Sequence, residues 1–381
     1  MAIKKKTKKP LDTQAFNFGM VKSSLRNILV NKVSLDKELM NVFKVKNDWS
    51  DKTKEAYFNT VWNAVVFAKG TFFNAQFEWE SKIFNKYLNS VKEALANNPK
   101  QVLPLAFTQE LLDVIYKECD KPVSVAKSLL VKPKCYLRPN GIDSYELKTS
   151  LYKENIESEF SEHDTSVLVC ESSAGIFATE TFQKGLFEVQ DISSQQVVKQ
   201  IDFSNVLTIA DACAGYGSKT LQLAFENPDG VITAFDIYQH KLDALNNRVK
   251  KTVLNNIRTS LINNVILAKN KEKFDVLLLD VPCSGSGVYR RNPDSKWRFE
   301  KAQMVRLLEE QKNILHNYES MLKVGGQLVY STCSVFKSEG ENQIKTFLDI
   351  HKNYSLLKEL RIDPNDLNGD GFYIAVLRKI K

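Results

Sequence analysis

The chain has 381 residues, of which 43% are hydrophobic and 26% charged, and its formal net charge is +8. That length allows two or three domains, and the balance is that of a globular protein, which excludes fibrous and fully disordered classes. No apolar run is long enough to span a bilayer, so no membrane partner is expected, and the basic surplus permits a polyanionic ligand without requiring one.

Residues 1–10 carry Lys4, Lys5, Lys6, Lys8 and Lys9 with no acid, a basic arm suited either to phosphates or simply to solubility. From about residue 17 to 126 the chain is poor in Gly and Pro and repeatedly helical in period, with Tyr57, Val61, Ala64, Val65 and Ala68 on one face. Phe72, Phe73, Phe77, Trp79 and Phe84 read either as an exposed binding strip or as core, and their spacing favours core. Residues 1–130 are therefore expected to form an all-helical N-terminal domain.

The segment 132–140 breaks the helical pattern and opens a mixed region. A helix is expected over 150–160, a strand over 165–170 and a turn with a strand over 182–191, which together make a small α+β module at 131–187, basic at its start. Residues 188–381 form the third domain.

That domain starts with an apolar strand over 206–211, ending in Asp211 and running into Cys213-Ala214-Gly215-Tyr216-Gly217-Ser218-Lys219-Thr220 and a helix. A glycine turn between strand and helix lets a ligand approach the backbone closely. A phosphate-binding loop would need Gly where Cys213 stands, and a dinucleotide fingerprint would need Gly where Thr220 stands. A nucleoside without pyrophosphate, such as S-adenosylmethionine, fits better. The next strand ends in Asp236, at the distance expected for a carboxylate on a ribose diol.

Two further apolar runs end alike. One, over 274–280, ends in Asp280-Val-Pro-Cys283-Ser-Gly-Ser-Gly287, and the other, over 326–332, ends at Cys333. Between them Met304, Leu307, Leu308, Gln311, Ile314, Leu315, Tyr318 and Leu322 recur at helical spacing. A right-handed strand–helix–strand crossover brings both carboxyl ends to one edge of a parallel sheet, where ligands bind. Cys283 and Cys333 then stand side by side, as a reactive pair or as two small buried hydrophobes. The six cysteines show no CxxC and no His at zinc-ligand spacing, so neither a metal nor a disulfide framework is expected. With no signal-type segment, the expected location is the cytoplasm.

The run from Leu279 to Trp297, with Ser331-Thr-Cys333-Ser334 and Glu339-Gly-Glu-Asn342, resembles the RsmB-like RNA (cytosine-5) methyltransferases. The likeness extends to Leu137-Arg138-Pro139-Asn140, to Lys184 through Gln195 and to Asp370-Gly-Phe-Tyr373, covering roughly residues 131–381. It implies a doubly wound, Rossmann-like α/β core of the class I methyltransferase type, preceded by the small module and by a helical domain in the place of the family's NusB-like domain, here without a firm motif. The implied reaction is methylation of cytosine at carbon 5 from S-adenosylmethionine, with small-subunit rRNA as the expected substrate. Transfer RNA, or a role as an RNA-binding assembly factor without turnover, are the alternatives. No metal is implied, and a monomer is expected.

Carbon 5 of cytosine is too weak a nucleophile unless a thiolate first adds to carbon 6. By likeness Cys333 is that thiolate, Cys283 assists release of the adduct, and Asp280 hydrogen-bonds the ring at nitrogen 3. The cofactor residues implied are Cys213, Ala214, Gly215, Tyr216, Gly217, Ser218, Lys219, Asp236, Asn263 and Asp280. Lys219 reads equally as a partner of Asp280 or as an ordinary helix-start lysine. Arg290, Arg291, Lys296 and Arg298, together with Arg138 and Asn140, are the candidate RNA contacts on a flipped or single-stranded target. Two features depart from the family pattern. The cofactor turn usually reads Cys-Ala-Ala-Pro-Gly-Gly-Lys-Thr, and Asn263 replaces a usual aspartate on the adenine side, where its amide oxygen still accepts.

Overall fold

A computed structural model describes residues 16–171, 173 and 175–381; the basic arm at 1–10 lies outside them. The chain divides into two compact units. One comprises the residues up to Asp113 with Arg291–Phe299, and the other comprises Val114–Arg290 with Glu300–Lys381.

The first unit is helical. Phe18–Leu29, Leu35–Val45 and Asp51–Val66 are helices, the last two capped by Ser34 and Ser50, whose hydroxyls accept from the backbone N–H groups of Lys37 and Thr53. Tyr57, Val61, Ala64, Val65 and Ala68 are fully buried, as their period requires. Phe84 is core, whereas Phe72, Phe77 and Trp79 are half-buried and Phe73 is exposed. The segment Arg291–Phe299 plugs the end of the Asp51–Val66 helix: Lys296 Nζ donates to Val66 O (3.0 Å) and Trp297 Nε1 to Val65 O (2.7 Å). These are carbonyls at a helix C-terminus, where no intrahelical donor remains and a cationic donor suits the helix dipole.

The second unit holds two sheets. The smaller is antiparallel, with strands β1 (Cys135–Pro139), β2 (Glu159–Phe160), β3 (Leu168–Cys170) and β4 (Phe187–Val189) in the order β2-β3-β1-β4. Its helix is Ser144–Lys153, not the expected 150–160. Asp143 starts it early by accepting from the Glu146 N–H at 2.8 Å, and Asn155, at a left-handed φ of 62°, ends the turn that follows. Leu137, Leu147, Leu151, Leu168 and Phe187 form the core of this region.

The larger sheet contains β5 (Thr208–Asp211), β6 (Val231–Asp236), β7 (Ile257–Leu261), β8 (Phe274–Asp280), β9 (Leu322–Thr332), β10 (Tyr354–Ile362) and β11 (Phe372–Lys379). The order is β10-β11-β9-β8-β5-β6-β7, with β5 to β9 parallel and β11 antiparallel to both neighbours. On β8, Leu277 and Leu279 pack into one core cluster and Val276 and Leu278 into the other. Both faces of the strand are covered, which is why it reads as an unbroken apolar run. Burying one such leucine contributes about 1.5–3 kcal/mol. The helix Lys301–Tyr318 makes the crossover from β8 to β9 and buries Met304, Gln311 and Leu315. No helix among the described residues is long and apolar enough to cross a membrane.

Candidate active site

The carboxyl ends of β8 and β9 lie side by side, and Asp280 on β8 is in register with Ser331 on β9. Ser331 Oγ donates to Asp280 Oδ1 (2.8 Å), and Lys219 Nζ, from the helix Ser218–Glu226, donates to Asp280 Oδ2 (2.6 Å). Burial alone would pull the Lys219 ammonium down, but the Asp280 carboxylate more than offsets this and holds it above its ordinary value. Of the two readings of Lys219, the structure realises the one in which it partners Asp280.

Each strand leads into a cysteine turn. Cys283 and Cys333 are both half-buried free thiols, with their Sγ atoms 3.3 Å apart. The hydrogen bond to Cys333, together with burial, pushes the Cys283 thiol well up from its ordinary value. Gly287 N–H donates to Cys333 O (3.0 Å), and Ser286 and Ser334 share a 2.8 Å hydroxyl hydrogen bond, so the two turns are laced together. Among the described residues no group of His, Cys, Asp or Glu is placed to hold a metal.

Beside Asp280 opens a cavity of about 390 Å³ lined by Ala212, Cys213, Gly215, Asp236, Ile237, Tyr238, Lys241, Asp280, Pro282, Glu310, Ile314 and Tyr318. Gly215 and Gly217 have left-handed φ of 56° and 85°, which turn the chain between β5 and the helix. Asp236 is buried. It accepts from the N–H groups of Gly215 (Oδ2) and Tyr238 (Oδ1), each at 2.9 Å, while Lys241 stands 3.7 Å from Oδ2. Each carboxylate oxygen has a second lone-pair direction for a ribose hydroxyl. Ile237, Tyr238, Ile314 and Tyr318 offer the apolar and aromatic faces that a purine needs. The donor set fits S-adenosylmethionine and does not form a pyrophosphate cradle.

Of the expected cofactor residues, Cys213, Gly215, Asp236 and Asp280 line this cavity. Asn263 is not among the lining residues. Its side-chain oxygen is committed to the Ile266 N–H (3.0 Å) as the cap of the helix Asn264–Lys269. Tyr216 is exposed, and its carbonyl is held by Arg248, which also binds Glu188 of β4 and Ser218 Oγ.

The candidate RNA contacts are placed differently from their expected role, because their polar groups are used inside the protein. Arg138 is buried and donates to Gln190 Oε1 (2.6 Å), Asn140 Oδ1 (2.9 Å) and Ser218 O (3.1 Å). Asn140 is buried on Gly185 O, and Arg290 on Pro364 O and Gly369 O. Lys296 is fully buried, which pulls its ammonium well below the ordinary value. Arg298 binds Asp294 and Val33 O, and Arg291 is half-buried with partners of its own. Glu339, Gln311, Ser331, Tyr238, Lys241, Glu310 and Tyr318 were not singled out for a role by sequence reasoning, since each becomes part of the site only through tertiary proximity.

A parallel sheet with a nucleoside cleft at its carboxyl edge, next to a thiol pair and a lysine–aspartate pair, defines a Rossmann-like methyltransferase core. Residues 199–378 match the model of the family described as 16S rRNA methyltransferase RsmB/F. A ribosomal RNA small subunit methyltransferase B from Proteus mirabilis is 30% identical over 304 residues, which cover 78% of this chain and 70% of that protein. A probable ribosomal RNA small subunit methyltransferase B from Bacillus subtilis is 32% identical over 274 residues, 66% of this chain and 61% of that one. Among solved structures, a methyltransferase homolog from Pyrococcus horikoshii superposes with a TM-score of 0.63 at 25% identity, over 76% of this chain and 99% of that one. NSun6 from Pyrococcus horikoshii superposes with the same score at 19% identity, over 72% and 99%. The chain belongs to the RsmB/F family of RNA methyltransferases.

Proposed function

We propose that this protein transfers a methyl group from S-adenosylmethionine to carbon 5 of a cytosine in small-subunit ribosomal RNA. The observation that carries the reading is the pair of thiols 3.3 Å apart beside the Lys219–Asp280 pair, at the end of the nucleoside cleft. The bound cofactor supplies an electrophilic methyl group. Asp236 and the Gly215 turn would hold its ribose, and Tyr238 and Tyr318 would offer their faces to its base.

The chain's residues then prepare the acceptor. Cys333 Sγ adds to carbon 6 of a cytosine taken out of its stack, forming a carbon–sulfur bond and pushing electron density to carbon 5. Asp280, positioned by Ser331 and Lys219, meets the ring at nitrogen 3 and relays a proton there from the Lys219 ammonium, which offsets the negative charge that would otherwise build up, and the proton returns when the adduct breaks. After methylation solvent water takes the carbon 5 proton, the carbon–sulfur bond breaks with its electron pair returning to Cys333 as a thiolate, and Cys283, in contact with the departing sulfur, assists release by donating a hydrogen bond to it.

The test is methyl transfer from labelled cofactor to deproteinised ribosomal RNA. Wild type is expected to form 5-methylcytosine, Cys333→Ala to form none, and Cys283→Ala to accumulate a covalent RNA adduct. Methylation of transfer RNA alone would change the substrate, and RNA binding with no transfer to either RNA would overturn the enzyme reading.

A further inference from the structure

Glu339 is fully buried, yet it carries no role in the chemistry described so far. Its Oε1 accepts from Ser284 N–H (2.8 Å) and Gln311 Nε2 (3.0 Å), and its Oε2 from Ser284 Oγ (2.5 Å) and Ser334 Oγ (2.5 Å). Ser284 follows Cys283 directly, and Ser334 follows Cys333. Gln311, from the crossover helix, completes the arrangement by also donating to Pro282 O (2.9 Å). One side chain thus ties both cysteine turns to each other and to the helix joining β8 and β9. A carboxylate can accept all four of these hydrogen bonds, whereas an amide, with a single acceptor oxygen, could not keep the same donors.

The charges around the thiols are divided. Glu339 and Cys333 act on Cys283, whose other titratable neighbours are the phenols of Tyr289 and Tyr330, both buried and both held neutral by that burial. The Lys219 cation interacts instead with Cys333.

We propose that Glu339 is a positioning residue for the cysteine pair: its carboxylate pins the Cys283 turn against the Cys333 turn and sets an acidic group on the Cys283 side of the pair, so that the two thiols stand in unlike surroundings. The proposal rests on the assignment of these thiols as the reacting pair, and it explains how two like groups in contact take unlike parts.

The experiment is iodoacetamide labelling of the free protein, with each thiol followed by mass spectrometry between pH 6.5 and 9, alongside thermal melting. It needs neither RNA nor cofactor, so it reads separately from methyl transfer. In wild type Cys333 is expected to label about tenfold faster than Cys283 near neutral pH, because the thiolate is the nucleophile. In Glu339→Gln that preference narrows at least about threefold as Cys283 loses its anionic neighbour, and Glu339→Asp, which keeps the charge, restores part of it. If Glu339→Gln does not fold, Ser334→Ala carries the readout with a smaller change in the same direction. Unchanged labelling ratios in a variant that melts earlier would overturn the proposal in favour of a purely structural carboxylate. Equal labelling of both thiols in wild type would overturn it as well.

Discussion

Arg138 and Ser218 are joined by a 3.1 Å hydrogen bond from a buried guanidinium on β1 to the first carbonyl of the helix that follows the cofactor turn. Arg248 makes a second link between the same parts, reaching from Glu188 on β4 to Tyr216 O and Ser218 Oγ. The small sheet thereby braces the turn that holds the nucleoside.

This placement separates two roles for Arg138. Arg138→Met is expected to lower the melting temperature and weaken S-adenosylmethionine binding, since Asn140, Gln190 and Ser218 O would lose a shared donor. A loss of about 2–4 kcal/mol is reasonable for several buried charge-assisted hydrogen bonds. The salt dependence of RNA binding should not change, whereas removal of a true phosphate contact would reduce the slope of log K against log salt by about one. Calorimetry for the cofactor and RNA titration at several salt concentrations decide it.

Asp280→Asn tests the other anchor. The variant keeps the shape beside Ser331 but leaves the buried Lys219 ammonium without its counter-charge. Loss of a hydrogen-bonding group aimed at developing charge costs about 10²–10³ in rate. The expected result is a fall of that order in the rate of methyl transfer at saturating cofactor, read in single turnover.

Much of this site was legible beforehand because its groups sit at strand ends. An apolar run ending in Asp280-Val-Pro-Cys283 and another ending in Thr332-Cys333 place their terminal residues on one edge by crossover handedness alone, and the 3.3 Å thiol contact follows from that topology. The antiparallel edge formed by β10 and β11 was not foreseen, since a run such as Phe372–Lys379, buried along nearly its whole length, reads the same in either direction. The charged residues are less legible for a related reason. Lys296 and Arg290 look like phosphate ligands in a basic stretch, and only the folded chain shows that backbone carbonyls claim them. Glu339 belongs to a run that carries the family resemblance, but its place in the site is not legible in sequence because its four donors come from three separate segments.

Backbone geometry makes a graded prediction at the cofactor turn. At Gly217, φ is 85° and an added Cβ would stand 2.2 Å from Leu245 Cδ1, whereas at Gly215, with φ of 56°, it would meet nothing within 4 Å. Gly215→Ala therefore carries only the left-handed strain of about 1 kcal/mol, and Gly217→Ala adds a packing clash for roughly 2–4 kcal/mol in total. Melting curves should rank Gly217→Ala well below Gly215→Ala, and equal losses would contradict the clash.

Asp211, at the end of β5, gives the pH dependence its sign. It is fully buried. Thr220 Oγ1 donates to its Oδ2 at 2.6 Å, while Oδ1 lacks a well-formed hydrogen bond among the described residues, and burial pushes its carboxyl up to about 7. An acid whose pKa is raised on folding binds more protons in the native state than in the unfolded one between about pH 4 and 7, so its contribution to stability falls as pH rises through that window. Above about 7 the penalty is complete, amounting to no more than a few kcal/mol. Asp211→Asn removes the titration. Its melting temperature should change less than that of wild type between pH 5 and 8, so that the gap between the two proteins moves in favour of the variant as pH rises. A gap that stays constant across this range would show that Asp211 is ionised throughout.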